Sequence, residues 1–256
     1  MENEFILSRA ELVYLLHELK CKTVVGVNLK ELNQSDEELS VSLKQGQTLL
    51  NKKKDTVDYS QLVEFVEVLG KRDIGIVMIR GIKNLGRQLF IFNFYNGKII
   101  EHTMPEEGFY RLALIPSFDA LIERLKQIVS LAAVNMNDRE INKISQPDFE
   151  NIIKFVQSGN IHEAEKILEQ TDFNQAYYGY LLQAIGEPEF TLSIACFKIQ
   201  NDTAMETSSV SIFADQQSSW GVWPGEMEAT PPILYLFPSG ITDVFNTFSD
   251  WLHLTK

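Results

Sequence analysis

The sequence has little of what most metal centres and covalent frameworks are built from. It contains two cysteines and four histidines in 256 residues. Cys21 and Cys196 lie far apart without ligand-like spacing, and no two histidines have the i, i+4 spacing of a metal-binding helix. We therefore expect free thiols, no disulfide framework and no metal site.

Basic residues and long hydrophobic runs are also scarce. The chain has 23 Lys and Arg against 35 Asp and Glu, a net charge of -12 that repels nucleic-acid phosphates and anionic lipid. No apolar run approaches the ~18 residues that span a bilayer, and residues 128–134 are the best candidate. The N-terminus lacks the basic start and long apolar stretch of a secretory signal. We expect no nucleic-acid partner, no membrane insertion and a cytoplasmic location.

What the chain does contain is a clear set of helical patterns. Ser8 and Glu11 predict a capping box, in which each side chain satisfies a free backbone N–H of the other residue. Ser35 predicts the start of a second helix, and Gly70 predicts the left-handed end of a third. The first and third helices have apolar faces made of Leu12, Leu15, Leu16 and Leu19, and of Leu62, Phe65, Val66 and Leu69.

Strand patterns follow the third helix. Alternating or aromatic-rich segments predict strands over residues 74–79, 89–95 and 112–115. Asn96 and Gly97 predict a two-residue hairpin, because both positions of a type I′ turn need a positive φ. A closing helix follows Pro116 and Ser117, with Ser117 as its N-cap.

The same order of patterns returns later in the chain. Ser145 and Asp148 lie 137 positions after Ser8 and Glu11, and Gly186 lies 116 positions after Gly70. We therefore predict an α+β fold of two similar halves, residues 1–131 and 132–256, in a quasi-two-fold arrangement, with 146–256 as the core of the second half. Residues 133–146 are polar and predict a linker or a short helix between the halves. An unduplicated α+β protein with helices and strands in this order is the alternative.

Each candidate catalytic motif lacks the residues or the geometry that its chemistry needs. Residues 81–87 imitate a phosphate-binding loop, but Arg87 and Gln88 stand where Lys and Ser or Thr must lie, so we predict a turn between strands. Glu101 and His102 are an imaginable acid and base pair, yet adjacent strand residues point to opposite faces. Ser117 and Ser239 each follow a Pro at a strand end, and both are predicted as N-caps rather than nucleophiles. We expect no catalytic residue, no cofactor and no enzymatic activity.

Large aromatic side chains are more numerous on the predicted hairpins than one buried sheet face requires. Aromatic residues are favoured anchors at protein interfaces, whereas packing between the two halves is the competing explanation. The candidate partner-binding residues are Phe94, Tyr95, Phe213, Trp220 and Trp223.

These patterns together resemble the EspG family, the cytosolic chaperones of type VII secretion systems, and similar proteins encoded with such systems in Firmicutes. The likeness covers nearly the whole chain, from the Leu7, Ser8, Glu11 opening through Gly46 and the helix ending at Gly70 to a second half of the same plan. The chain departs from the actinobacterial pattern in having few Ala, Arg and Pro residues.

The resemblance implies a stoichiometric binding function. A chaperone or adaptor of this family covers the exposed apolar tip of a helical secreted protein, such as a WXG100-like or LXG-like substrate, and keeps it soluble in the cytoplasm. Two other classes stay open from the residues themselves. One is a cytoplasmic immunity protein that blocks a toxin domain, and the other is an enzyme with dispersed catalytic residues.

Overall fold

A computed structural model describes residues 4–21, 24, 35–129, 141–200 and 203–253. These residues form eight α-helices and ten β-strands, which confirms the predicted α+β class. The first half contains β1 (Glu4–Ser8), α1 (Arg9–Glu18), α2 (Asp36–Lys53), α3 (Tyr59–Lys71), β2 (Ile74–Ile82), β3 (Gly86–Tyr95), β4 (Lys98–Glu106), β5 (Phe109–Ile115) and α4 (Phe118–Ile128).

The second half repeats this order of element types. It contains β6 (Asn142–Ser145), α5 (Gln146–Gln157), α6 (Ile161–Leu168), a 3₁₀ turn (Gln175–Tyr177), α7 (Tyr178–Gly186), β7 (Phe190–Gln200), β8 (Thr203–Ala214), β9 (Ser219–Pro224), β10 (Ile233–Pro238) and α8 (Ile241–His253). The division of the chain at residue 131 and the internal duplication stay predictions.

The strands form an antiparallel sheet in the order β1-β5-β4-β3-β2-β7-β8-β9-β10-β6. The end strands, β1 and β6, are five and four residues long and pair with β5 and β10. Short end strands limit the unpaired backbone that a sheet edge presents. By internal contacts the chain divides into a first unit of residues 1–78, 89–123 and 195–207 and a second unit of residues 79–88, 124–194 and 208–256.

The core of the first unit lies between α1, α3 and one face of β1, β4 and β5. The predicted apolar faces of both helices are buried there, except that Leu19 is only partly buried. Strand residues complete the core, and Phe5 meets Phe65 of α3 edge to face with ring centroids 5.1 Å apart. The predicted capping box is confirmed, because Ser8 Oγ accepts from the Glu11 N–H and the Glu11 carboxylate accepts from the Ser8 N–H.

The core of the second unit lies between α5, α6, α7 and one face of β6, β9 and β10. Ser145 caps α5, accepting a hydrogen bond from the Asp148 N–H at 3.2 Å. Trp220 is the largest side chain in this core. The other buried residues are Ile144, Phe149, Ile152, Val156, Ala164, Leu168, Phe173, Tyr178, Leu181, Leu182, Ala184, Ile185, Val222 and Leu236.

Both predicted turns are confirmed. Asn96 and Gly97 adopt φ values of 49° and 74° between β3 and β4, as a type I′ hairpin requires. The loop that imitates a phosphate site connects β2, which ends at Ile82, to β3, which begins at Gly86.

Two local predictions are wrong. Gly70 lies inside α3 rather than at a left-handed end, and its missing Cβ makes room for Cys21, whose Sγ would lie 1.9 Å from that atom. Ser117 caps α4 as predicted, but Ser239 is not the N-cap of α8. The Ser239 hydroxyl donates to the Phe237 carbonyl, and the helix begins after Gly240.

The predicted linker is wrong in its last part. Residues 133–140 lie outside the described residues, but Asn142–Ser145 is strand β6. Asn142 and Ile144 are buried while Lys143 is exposed, which is strand alternation. The pattern is hidden in the sequence because one of its two inward residues is polar, and the Asn142 amide donates to the Leu236 carbonyl at 3.5 Å.

Candidate functional site

The two predicted tryptophans lie on opposite faces of β9. Trp220 is fully buried, with its ring 5.5 Å from Phe173 and 6.0 Å from Tyr177, so in this conformation it contributes to the core. Trp223 is half-buried on the other face, where it stacks on Phe237 at 4.5 Å.

Trp223 is also fixed by its neighbours. Its indole N–H donates to Thr247 Oγ1 of α8 at 3.3 Å. Gly221 provides the space for the ring, because a Cβ at that position would lie 1.7 Å from the indole. The ring therefore packs flat along β9 and leaves only part of its surface free.

The remaining three candidates are half-buried. Tyr95 packs against the core of the first unit, and Phe213 packs against the core of the second, 6.3 Å from Phe149. Phe94 is half-buried on β3. The role of the five aromatic residues in partner binding stays a prediction.

A groove that sequence patterns did not predict lies on the second unit, between the end of α5, α6 and α7. It encloses about 400 Å³, within the usual range of ligand pockets. Val156 and Leu182 form its buried floor, and Ile161 stands on its wall with 41% of its surface exposed. The other lining residues are Gly159, Glu165, Gly179, Gln183, Gly186 and Glu187.

The turn at Gly159 positions the two helices on one side of this groove. Gly159 has a φ of 78°, which suits glycine, and its N–H donates to the Val156 carbonyl at 3.0 Å. The Asn160 N–H donates to the Phe155 carbonyl at 2.8 Å, which completes a Schellman motif at the end of α5. The next helix begins at once, at Ile161.

The rim of this groove is acidic. Glu165 and Glu187 line it, and none of its lining residues in the described chain is Lys or Arg. The Glu165 carboxylate lies 3.9 Å from Nδ1 of the exposed His162. The groove therefore combines an apolar floor with negative charge at its mouth.

A second groove, of about 510 Å³, lies on the first unit between α3 and strands β4 and β5. Its floor includes Phe65, Val68 and Ile100, all buried. Glu64 of α3 and Lys98 of β4 form an ion pair among its lining residues. The lining of this groove therefore includes a cation as well as carboxylates, whereas the lining of the groove on the second unit includes no Lys or Arg.

The imagined acid and base pair on β4 is separated as predicted. Leu112 lies opposite His102 on β5, whereas Ala113 lies opposite Glu101, so the two side chains point to opposite faces. Both are buried, with 0% and 3% of their surface exposed for His102 and Glu101 respectively. Two side chains that diverge across a sheet cannot share a proton directly.

His102 instead lies near a buried guanidinium. Burial, followed by the charge of Arg72, lowers the pKa of His102 to about 4, so the imidazole is neutral at pH 7. Arg72 is itself 2% exposed and donates to the Leu69 carbonyl at the end of α3, and burial lowers its pKa to about 10. Neither nitrogen of the His102 ring hydrogen-bonds to a described residue.

Two further findings concern the described chain as a whole. Its His, Cys, Asp and Glu side chains form no group of three or more with the geometry of a metal site. Every helix that the structure describes is too short or too polar to span a bilayer.

The chain has the fold of a known secretion chaperone. The structure of the Mycobacterium tuberculosis type VII secretion system chaperone EspG5, in complex with the PE25-PPE41 dimer, matches it with a TM-score of 0.70 over 94% of this chain and 92% of that chain. Sequence identity is 11%, so the likeness is one of fold. The sequence matches no family model and no curated protein.

Proposed function

We propose that this chain is a non-catalytic binding protein, a chaperone or adaptor associated with type VII secretion. It acts in the cytoplasm, binds a helical secreted protein of WXG100-like or LXG-like type, and keeps that protein soluble until export. The observation that carries the proposal is the shared fold with EspG5, which extends over 94% of this chain. The sequence resemblance to the EspG family supports the same function, with a Firmicutes-type relative as the narrower assignment.

The groove on the second unit supports a binding role on physical grounds. A helical protein with an apolar tip aggregates because that tip is exposed to water. Ile161, which is exposed beside the buried Val156 and Leu182, offers apolar surface that can replace water around such a tip. The net charge of -12 keeps the resulting complex soluble. Binding of this kind is stoichiometric and needs no nucleotide.

Co-expression with a small helical secreted protein encoded beside this chain tests the proposal. We expect the two proteins to co-purify in a fixed ratio and the partner to be soluble only when this chain is present. An unrelated acidic α+β protein of similar size serves as the control. A partner that is soluble alone and does not co-purify would contradict the proposal, and inhibition of a toxin domain by this chain would favour an immunity protein instead.

A further inference from the structure

We infer that the groove between α5, α6 and α7 receives one amphipathic helix of the partner, with small residues over Gly179 and Lys or Arg side chains beside Glu165 and Glu187. This inference rests on the proposed function and specifies the site and the chemistry of the helix that occupies it.

The first observation is a glycine that the fold does not require. Four glycines lie within the described helices, and a Cβ at Gly46, Gly70 or Gly186 would lie within 3.0 Å of a neighbouring atom. A Cβ at Gly179 would meet nothing within 4 Å, and its φ is not in the left-handed region. Gly179 is the second residue of α7, where glycine costs a helix less than in its interior, and no contact within the described chain requires glycine there.

Close approach of a partner explains the glycine. Gly179 lines the groove beside Leu182 and Gln183, on the outward face of α7. Two helices pack at roughly 8–10 Å between axes, and the shorter distances need small residues at the contact. A partner helix with Ala, Ser or Gly at its contact positions can therefore pack directly on the backbone of α7.

The second observation is that helices alone form the walls of the groove. All lining residues belong to α5, α6, α7 or the residues adjoining them, so no strand edge borders the groove. An extended peptide binds by adding to a strand edge, whereas an amphipathic helix binds by placing its apolar side chains in a groove. The geometry favours a helix.

The third observation is the charge of the rim. Glu165 and Glu187 border an apolar floor, and no lining residue is Lys or Arg, although Lys83 interacts with Glu187 and His162 with Glu165 from outside the groove. Lys or Arg at the edges of the bound helix complements these carboxylates and selects against acidic helices. Because both carboxylates are near solvent, this part of the binding free energy weakens as salt is added.

Fluorescence anisotropy with two labelled helical peptides tests the inference. Both peptides are about 18 residues long, or five turns. Each has Ala on the contact stripe flanked by Leu, with Lys at the rim positions in one peptide and Glu in the other. We expect the Lys peptide to bind at least about tenfold more tightly, and a Glu165→Lys, Glu187→Lys variant to prefer the Glu peptide. Equal affinity of the two peptides, or no binding of the Lys peptide by about 1 mM, would overturn the inference.

A substitution at the glycine separates groove binding from other contacts. Gly179→Leu fills open space near the start of α7, so we expect no decrease in Tm and at least about a tenfold loss of Lys-peptide affinity. Tyr180→Leu, at the next helix position and outside the groove lining, is the matched control and should bind normally. Glu163→Lys is the matched charge control on α6. Normal binding by Gly179→Leu would contradict the inference.

The same variants distinguish the two proposals. If the secreted partner co-purifies with wild-type protein and equally with Gly179→Leu, the helix does not occupy this groove and the chaperone function stands. If no secreted partner co-purifies but the Lys peptide binds as described, the groove chemistry stands and the chaperone function fails.

Discussion

The carboxylate of Glu11 lies 2.7 Å from the ammonium of Lys53, and only 2% of the Glu11 side chain is exposed. The other oxygen of Glu11 accepts from the backbone N–H and the hydroxyl of Ser8, at 2.7 and 2.8 Å. Lys53 also donates to the Ile6 carbonyl at 3.5 Å, on the end strand β1. One buried carboxylate thus joins the start of α1 to the end of α2 and places a lysine over the sheet edge.

We expect Glu11 and Lys53 to be energetically coupled. Lys53→Met leaves a buried carboxylate without its counter-ion and should lower the free energy of unfolding by about 2 kcal/mol. In a Glu11→Gln background the same change should cost less than about 0.5 kcal/mol, because no charge remains to be compensated. Urea denaturation of the four proteins of this double-mutant cycle measures the coupling, and additive effects would contradict it.

A second prediction concerns Gly70 and Cys21. Gly70→Ala places a Cβ 1.9 Å from the Cys21 sulfur, so the fold must shift and should lose about 2 kcal/mol of stability. Removing the obstructing side chain with Cys21→Gly should make Gly70→Ala nearly neutral. Urea denaturation measures both effects, and Gly70→Ala costing the same in each background would show that the sulfur contact does not constrain this position.

The buried imidazole predicts how stability depends on pH. The pKa of His102 is 6.5 in the unfolded chain and about 4 in the folded chain. Between pH 6.5 and pH 4 the unfolded chain therefore binds a proton at this residue that the folded chain does not bind, which favours unfolding. This residue should therefore remove about 3 kcal/mol of stability between pH 7 and pH 4. Between pH 7 and pH 4 the free energy of unfolding of His102→Phe, measured by urea denaturation, should therefore fall by about 3 kcal/mol less than that of the wild-type protein. Parallel curves for the two proteins would refute the assignment.

Substitution of the two tryptophans on β9 should have different effects. Trp220→Ala opens a cavity in the core of the second unit and should cost about 3–5 kcal/mol. Trp223→Phe keeps the stacked ring but loses the hydrogen bond to Thr247, which should cost about 1 kcal/mol. Thermal unfolding gives the order of the two effects. A larger loss for Trp223→Phe would contradict the packing described for both residues.

Sequence patterns were sufficient where the determinant is local. The capping box at Ser8, the N-cap at Ser145 and the Asn96-Gly97 turn depend on residues within one turn of chain, and all three form in the structure. Strand β6 was missed because four residues with one buried Asn show too little alternation. Gly70 was misread because its neighbour Cys21 is distant in sequence, and only tertiary packing reveals that a close approach, not a left-handed turn, requires glycine.

The groove on the second unit was beyond sequence reasoning for a related reason. Its lining comes from three helices, so no single segment of the sequence carries the whole groove. One signal was available, since Gly179 is an isolated glycine within the helical pattern from Tyr178 to Ile185. Its meaning depends on the empty space around it, which only coordinates show. The burial of His102 could not be predicted from the sequence either, because a single polar residue in a strand does not indicate whether it is buried or exposed.

Light scattering of the secreted partner, diluted from denaturant with increasing amounts of this chain, measures whether the chain keeps that partner soluble by binding it. We expect scattering to fall in proportion to added chain, to be abolished near one equivalent, and to be unaffected by ATP. Undiminished scattering at several equivalents, or suppression by a small fraction of an equivalent that depends on ATP, would contradict a stoichiometric chaperone.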